Sequence, residues 1–272
     1  MDVSVIILNY NSWNLLKDCL DSLYRFTRDV VFEVIVVDNG SDENKWTALQ
    51  SDYPDVIFIR NNKNLGFSRG NNIGANVASG KYLLFLNVDT IFRENLIKSL
   101  LEIIKSDTKI GAAGPKLFNS DGSFQLSCGQ LPNVLVEFRD KIRYFLYRKG
   151  GKFFRSFYNK RYQRIKKIGW VTGACMIVNA NVFKSVKGFD ENYFMYYEDK
   201  DLCRRIKNAG WDVIYTPSTS IIIHLLAGAS KNTSEKIIGQ YYRKSQVYYY
   251  KKHLNGFQQM ILHLYLYLSG KI

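Results

Sequence analysis

The chain has 272 residues, 46% of them hydrophobic and 15% aromatic, with only 4 prolines, which excludes disordered, collagen-like and low-complexity classes. No apolar run approaches the roughly 18–20 residues of a membrane-spanning helix, and the opening MDVSVIILNYNS lacks the basic lead-in of a signal peptide. The net charge of +14 lies wholly in the second half: residues 1–120 balance at −1 and residues 121–272 carry +15.

In chain order, four short apolar runs at residues 3–8, 32–37, 56–59 and 82–86 each lead into a polar cluster. Continuous runs rich in β-branched residues predict strands buried on both faces, as in a parallel sheet. Between the first two, Leu15, Leu16, Cys19, Leu20, Leu23 and Tyr24 share a helical face behind a cap at Ser12, and residues 95–104 repeat the pattern. This is βα organisation, in which ligands bind beyond the carboxyl ends of the strands. Those ends carry Tyr10, Asp38, Asn62 and Asp89, which are expected to converge on one edge. The glycines Gly66, Gly70 and Gly74 suit a close backbone approach to a ligand. Their spacing matches neither the dinucleotide nor the phosphate-loop fingerprint, which disfavours a dehydrogenase or a P-loop NTPase.

The carboxylate ending the fourth run, in Asn87-Val88-Asp89, suits Mg²⁺ or Mn²⁺, with a substrate diphosphate supplying further oxygens. A second acidic cluster, Glu198-Asp199-Lys200-Asp201, opens a helix at residues 202–209. Helix-dipole stabilisation accounts for Asp201. The apolar, aromatic neighbours Met195, Tyr196 and Tyr197 suit a carboxylate raised towards the range of a useful base. His224 follows an apparent strand at 221–223 and precedes the small-residue loop Ala227-Gly228-Ala229-Ser230, whereas His253 and His263 lie in a basic, aromatic tail. Cys19, Cys128, Cys175 and Cys203 stand far apart with no CxxC pair, so neither a zinc site nor a disulfide framework is expected, and a reducing cytoplasm is the simplest setting.

Residues 137–167 hold 12 basic and two acidic side chains interleaved with aromatics, a patch that calls for a polyanion, either nucleic acid or an anionic membrane. Phe257, Met260, Ile261, Leu264, Tyr265 and Leu268 form a helical stripe in the tail, suited to interfacial binding, to packing on the domain or to a homodimer contact.

The order SVIILNYN, VVDNGS, NLGFSRGNN, YLLFLNVD, WVTGACMIV, GFDENYFMYYEDKDLCRR and IIIH resembles glycosyltransferase family 2, in particular its rhamnosyltransferase-like branch that builds bacterial surface polysaccharides. The likeness runs over residues 3–230. It implies an α/β GT-A fold, with a nucleotide-sugar-binding half (1–120), an acceptor half (121–230, carrying the basic insertion 137–167) over one central mixed sheet, and a helical tail (231–272). Carried over by position, it implies donor contacts from Tyr10, Asn11, Asp38, Gly66, Arg69, Asn71, Asn87 and Asp89, with Asp38 accepting from a base N–H. It also implies Mg²⁺ or Mn²⁺ held by Asp89 and His224, acceptor contacts from Trp170, Thr172, Gly173 and Glu198, and Asp199 as catalytic base. Two departures stand out: Val88 where the branch commonly has proline, and Arg69 where many relatives have glycine.

The implied reaction is inverting, metal-dependent transfer of a sugar, rhamnose first among the guesses, from a dTDP- or UDP-linked donor to a polyprenyl-diphosphate-linked saccharide. Its implied seat is peripheral, on the cytoplasmic face of the membrane. A sugar-1-phosphate nucleotidyltransferase is the alternative enzyme, but Asn9-Tyr10-Asn11-Ser12-Trp13 lacks the glycine-rich basic loop it needs. A nucleic-acid-binding protein rests on charge alone, with no recognisable binding motif, so no nucleic-acid partner is expected.

Overall fold

The computed structural model describes residues 1–41, 46–149, 160, 162–217, 222–225 and 235–270. The first half runs β1 (Val3–Asn9), α1 (Trp13–Phe26), β2 (Phe32–Asp38), α2 (Trp46–Asp52), β3 (Ile57–Arg60), α3 (Phe67–Val77), β4 (Tyr82–Asn87), β5 (Thr90–Phe92) and α4 (Leu96–Lys105). Next come β6 (Ile110–Pro115), β7 (Leu117–Phe118), β8 (Phe124–Gln125), β9 (Cys128–Gly129), α5 (Val134–Lys149), β10 (Lys166–Lys167), β11 (Trp170–Val171), β12 (Cys175–Asn179) and α6 (Ala180–Ser185). The chain closes with α7 (Glu198–Asn208), β13 (Asp212–Thr216), β14 (Ile222–His224), α8 (Glu235–His253) and α9 (Gly256–Leu268). The loop at 227–230 and the middle of the basic stretch, 150–159, lie outside the described residues.

Eight strands form one mixed sheet in the order β10-β13-β6-β12-β4-β1-β2-β3. The predicted βα half is its parallel part: β1 pairs in parallel with β2 and β4, and β2 with β3. β12 then enters antiparallel between β4 and β6, joining the two halves through a continuous ladder. Alternation along the strands divides the core. Val3, Val5, Ile7, Val34 and Val36 pack under α1 and α4, while Ile6, Ile35, Val37 and Phe85 face α3 and the residues of α7. Both faces are covered, which is why the strands read as unbroken apolar runs.

Three local expectations change. Ser12 stands at the head of α1, but its hydroxyl donates to the Tyr10 carbonyl (3.0 Å) and caps nothing. Gly70 and Gly74 bring α3 onto the sheet rather than onto a ligand: a Cβ at these positions would lie 2.3 Å from Leu8 and 2.6 Å from Ile6. The tail stripe predicted on α9 faces outward. Leu262 and Leu266 make the buried seam, packing with Tyr193, Tyr197, Tyr249 and Tyr250.

Candidate active site

A cavity of about 450 Å³ opens at the carboxyl ends of β1 and β4, between the sheet and α7. Tyr10, Gly66, Asn87, Asp89, Trp170, Thr172, Gly173, Glu198, Asp199 and His224 all line it. Tyr10 and Asp89 therefore converge as the strand-end argument requires. Asp38 and Asn62 do not reach the wall. Asp38 is wholly buried, accepting from Asn9 Nδ2 (3.0 Å) and from the Ser41 N–H (3.0 Å), with Arg60 at 3.8 Å. Asn11, Arg69 and Asn71 also stand off the wall. The N–H of Asn11 donates to Ser41 Oγ, Arg69 pairs with Glu191 at 3.5 Å, and Asn71 donates to the Phe67 carbonyl within α3.

The metal-type pair is made by tertiary structure. β14 pairs antiparallel with β5, setting His224 opposite Thr90, and the Leu225 N–H donates to the Asp89 carbonyl (2.9 Å). His224 Nε2 thereby comes 3.1 Å from Asp89 Oδ1, with both side chains almost fully buried. A chain of amides sets the imidazole tautomer. Asn119 Nδ2 donates to Ser123 Oγ, and Gln125 Nε2 donates to Asn119 Oδ1, so Gln125 presents Oε1 to His224 Nδ1 at 2.8 Å. Nδ1 then donates to Gln125, which leaves Nε2 as the ring nitrogen facing Asp89 Oδ1, with Asn87 Nδ2 at 3.2 Å. Two electron-rich atoms 3.1 Å apart in a buried wall fit a divalent cation. Among the described residues no third His, Cys, Asp or Glu joins them, so the other ligands would come from substrate oxygens. Gln125 carried no signal in the sequence. It reaches the site only through the β14-β7-β8 arrangement.

Opposite lies the acidic cluster, at the N-terminus of α7. Tyr196 and Tyr197, which lead into it, both adopt left-handed backbone (φ 70° and 66°), a costly conformation for bulky residues. Burial of the Tyr197 ring and its hydroxyl bond to Glu137 on α5 (2.5 Å) hold it there. Asp199 accepts from the Lys200 N–H (2.7 Å) and the Gly173 N–H (3.3 Å). Burial raises its proton affinity above that of an ordinary carboxylate, against the opposing pull of Lys200 and these N–H groups. Glu198 is raised too, by burial and by the neighbouring Asp199, and its Oε2 has no hydrogen-bond partner among the described residues.

Asp201 has a different role. It is fully buried and meets Arg205 (2.7 Å), Lys252 (2.7 Å) and His253 (2.6 Å), tying α7 to α8. Burial opposes its ionisation, but His253, Arg205 and Lys252 prevail and bring its carboxyl down to about 2. His253 is thus a structural partner that its place in a basic tail did not reveal.

The two sides of the cavity meet at Gly66. Its φ of 83° and the 2.6 Å that would separate a Cβ from the Phe194 carbonyl leave room only for glycine, and the Phe67 N–H donates to that carbonyl (2.7 Å). Asn39 and Asn64, also on the wall, brace this turn: Asn39 Nδ2 donates to Asn64 Oδ1 (3.0 Å) and to the Gly66 carbonyl (3.2 Å). Neither asparagine was among the residues expected at the site.

Comparison with known proteins bears on this geometry. A sequence model of glycosyl transferase family 2 matches residues 4–185. An N-acetylglucosaminyl-diphospho-decaprenol L-rhamnosyltransferase from Mycobacterium tuberculosis is 29% identical over 240 residues, covering 81% of this chain and 75% of that protein. In solved structures, the fold is shared with GalNAc-T7 crystallised with UDP, GalNAc and Mn²⁺, at TM-score 0.64 and 17% identity over 91% of this chain and 48% of that one. It is shared also with the mannosyltransferase PcManGT from Pyrobaculum calidifontis in complex with GDP-Man and Mn²⁺, at TM-score 0.61 and 18% identity over 98% of this chain and 69% of that one.

Proposed function

Since the chain belongs to glycosyltransferase family 2 and is a glycosyltransferase of GT-A fold, we propose that it moves rhamnose, with inversion, from a dTDP- or UDP-linked donor to a saccharide carried on a polyprenyl diphosphate. One observation carries the reading: a carboxylate of raised proton affinity, Asp199, shares a single cavity with the Asp89–His224 pair. The rhamnosyltransferase relative, named for a diphospho-decaprenol-linked sugar, supports the choice of donor sugar and acceptor.

A sugar hydroxyl is a very weak acid, so a base must take its proton as the new bond forms. Asp199 takes that proton. The hydroxyl oxygen bonds to C1 from one face, while the C1–O bond to the diphosphate breaks on the other and leaves its electron pair with the nucleotide. Glu198, whose Oε2 has no hydrogen-bond partner among the described residues, holds the acceptor through a hydrogen bond, beside Trp170, Thr172 and Gly173. Asp89 and His224 would hold Mg²⁺ or Mn²⁺, which when bound would supply Lewis-acid stabilisation of negative charge on the leaving diphosphate. Asn87 and Gln125 keep the His224 ring in register for that role.

The reading includes a membrane seat. No helix among the described residues is long and apolar enough to cross a bilayer. On α5, Leu135, Phe138, Ile142 and Phe145 are exposed at i, i+3, i+7 and i+10, and on α9 Phe257, Met260, Leu264 and Leu268 repeat nearly the same spacing. The helices adjoin, with Lys141 Nζ 3.9 Å from the centre of the Tyr265 ring. Two apolar stripes flanked by Arg139, Lys141 and Arg143 favour a peripheral seat on anionic lipid.

The direct test is to incubate the purified chain with Mn²⁺, dTDP-rhamnose or UDP-sugars, and N-acetylglucosaminyl-diphospho-prenol. Acceptor mass should rise by one deoxyhexose with dTDP-rhamnose. Transfer of a different sugar would correct the donor, and release of free nucleotide with no glycosylated lipid would overturn the acceptor assignment.

A further inference from the structure

Lys200 stands one residue beyond the base, lines the same cavity and plays no part in the mechanism above. Three rings surround its ammonium: Nζ is 4.1 Å from the centre of Tyr197, 5.0 Å from Trp170 and 5.8 Å from Tyr242. The cage is fixed from several directions. Trp170 sits on Gly129, where a Cβ would lie 2.7 Å from the indole nitrogen. Tyr197 is buried, and its hydroxyl lies 3.3 Å from that of Tyr242, which arrives from α8. Ring faces attract a cation without supplying a conventional hydrogen-bond acceptor, and among the described residues no oxygen accepts from Nζ, so the ammonium keeps donor capacity for a ligand. Burial works against the charge, yet Tyr242, Asp199, Glu137 and Glu198 outweigh it and keep Lys200 protonated.

Resting on the reading of a diphosphate-linked acceptor, we propose that Lys200 is an anion-binding residue of the acceptor site. It receives a phosphate oxygen of the link between the acceptor sugar and its lipid. Three features select this ligand over the donor's diphosphate. The cage is built from Trp170 on β11, Tyr197 at the head of α7 and Tyr242 on α8, elements apart from the β5–β14 ladder that holds Asp89 and His224. Lys200 adjoins Asp199, so its anion and the attacking hydroxyl belong to one small molecule, separated by the sugar that carries both. A compact ammonium with three donors also suits phosphate as a point charge.

The test uses the full chain and variants Lys200→Gln and Lys200→Arg, titrated calorimetrically with farnesyl diphosphate, farnesol, and dTDP with Mn²⁺. Farnesyl diphosphate should bind the wild type and farnesol much more weakly. Lys200→Gln should weaken farnesyl diphosphate by about tenfold or more, the usual scale of a charged hydrogen bond. Lys200→Arg should restore most of that affinity. Nucleotide affinity should stay within about twofold in both variants, which also reports that they are folded. Farnesyl diphosphate binding unchanged in Lys200→Gln would overturn the inference and leave the acceptor reading standing. Loss of nucleotide binding instead, with an unchanged circular-dichroism spectrum and melting temperature, would overturn the inference and assign Lys200 to the donor. A wild type that binds nucleotide but no farnesyl diphosphate would overturn the acceptor reading and this inference together.

Discussion

The two walls of the cavity are made of different materials. The proposed donor wall, at the ends of β1, β2 and β4, is an aliphatic core fringed by neutral amides: Asn39, Asn61 and Asn64 bond to one another or to backbone, and behind them Asn9 donates to the buried Asp38. The proposed acceptor wall, where α7 meets α5 and α8, is aromatic and charged. Tyr193, Tyr196, Tyr197, Tyr242 and Tyr249 pack around Glu198, Asp199, Lys200 and Asp201. Amides do not titrate, which suits the nucleotide-binding role proposed for the donor wall. Proton transfer needs a carboxylate of altered affinity, which comes from desolvation and close like charges. Left-handed backbone occurs on both sides, at Asn11 after β1 (φ 50°) and at Tyr196 and Tyr197, and it costs more at the two bulky tyrosines.

If the walls are separable, variants of one should spare the other. Asp199→Asn should lower transfer by about a thousandfold or more, with dTDP affinity unchanged in calorimetry. A fall in nucleotide binding would show that the walls act as one. His224→Ala should cut Mn²⁺-dependent nucleotide binding by about a hundredfold while leaving prenyl-diphosphate binding alone. Gln125→Leu, which frees the imidazole to change tautomer, should weaken Mn²⁺ by about tenfold, the range measured for outer-sphere partners of metal-bound histidine. Manganese paramagnetic resonance reads both.

pH sharpens the contrast. The raised affinity of Asp199 means it stays protonated, and so inactive as a base, to higher pH than an ordinary carboxyl. The acid limb of kcat/KM should therefore lie above the usual value of 3.8, with no matching limb in nucleotide affinity. Asp201 works in the opposite sense. Its folded value, about 2, lies below the unfolded 3.8, so its stabilisation is complete above the latter and lost as pH falls towards 2. Asp201→Asn should cost about 2–3 kcal/mol, less than a fully buried pair because Lys252 and Arg205 can turn to water. It should also flatten the acid arm of the denaturation curve. The smallest structural effect belongs to the outer surface. Phe138→Glu with Leu264→Glu should leave melting unchanged, since both side chains are exposed, yet abolish sedimentation with phosphatidylglycerol vesicles.

Much of this was legible before folding. β1, β2, β4 and α1 follow from apolar runs because a strand covered on both faces must be apolar throughout, whereas β3 is a partly exposed edge strand. Asp89 was marked by its place at a strand end and the acidic cluster by its place at a helix start, while the choice of Asp199 within that cluster came from the family resemblance. His224 was visible as a lone histidine after a strand, but nothing local tied it to Asp89. The tail stripe was legible as helical periodicity, yet a helix apolar on more than one side does not declare which side faces the protein, and Leu262 and Leu266 took the inner place.

The boundary between the two kinds of knowledge follows the range of the forces. Local patterning, in which burial repeats every two residues or every three to four, determined the elements and marked the polar ends where chemistry would gather. Contacts between segments distant in the chain decided the rest. The β5–β14 ladder made one site of Asp89 and His224, β8 brought Gln125 to fix the imidazole, and α8 supplied the last ring around Lys200. Those contacts rest on shape and desolvation summed over many partners, which no single segment encodes.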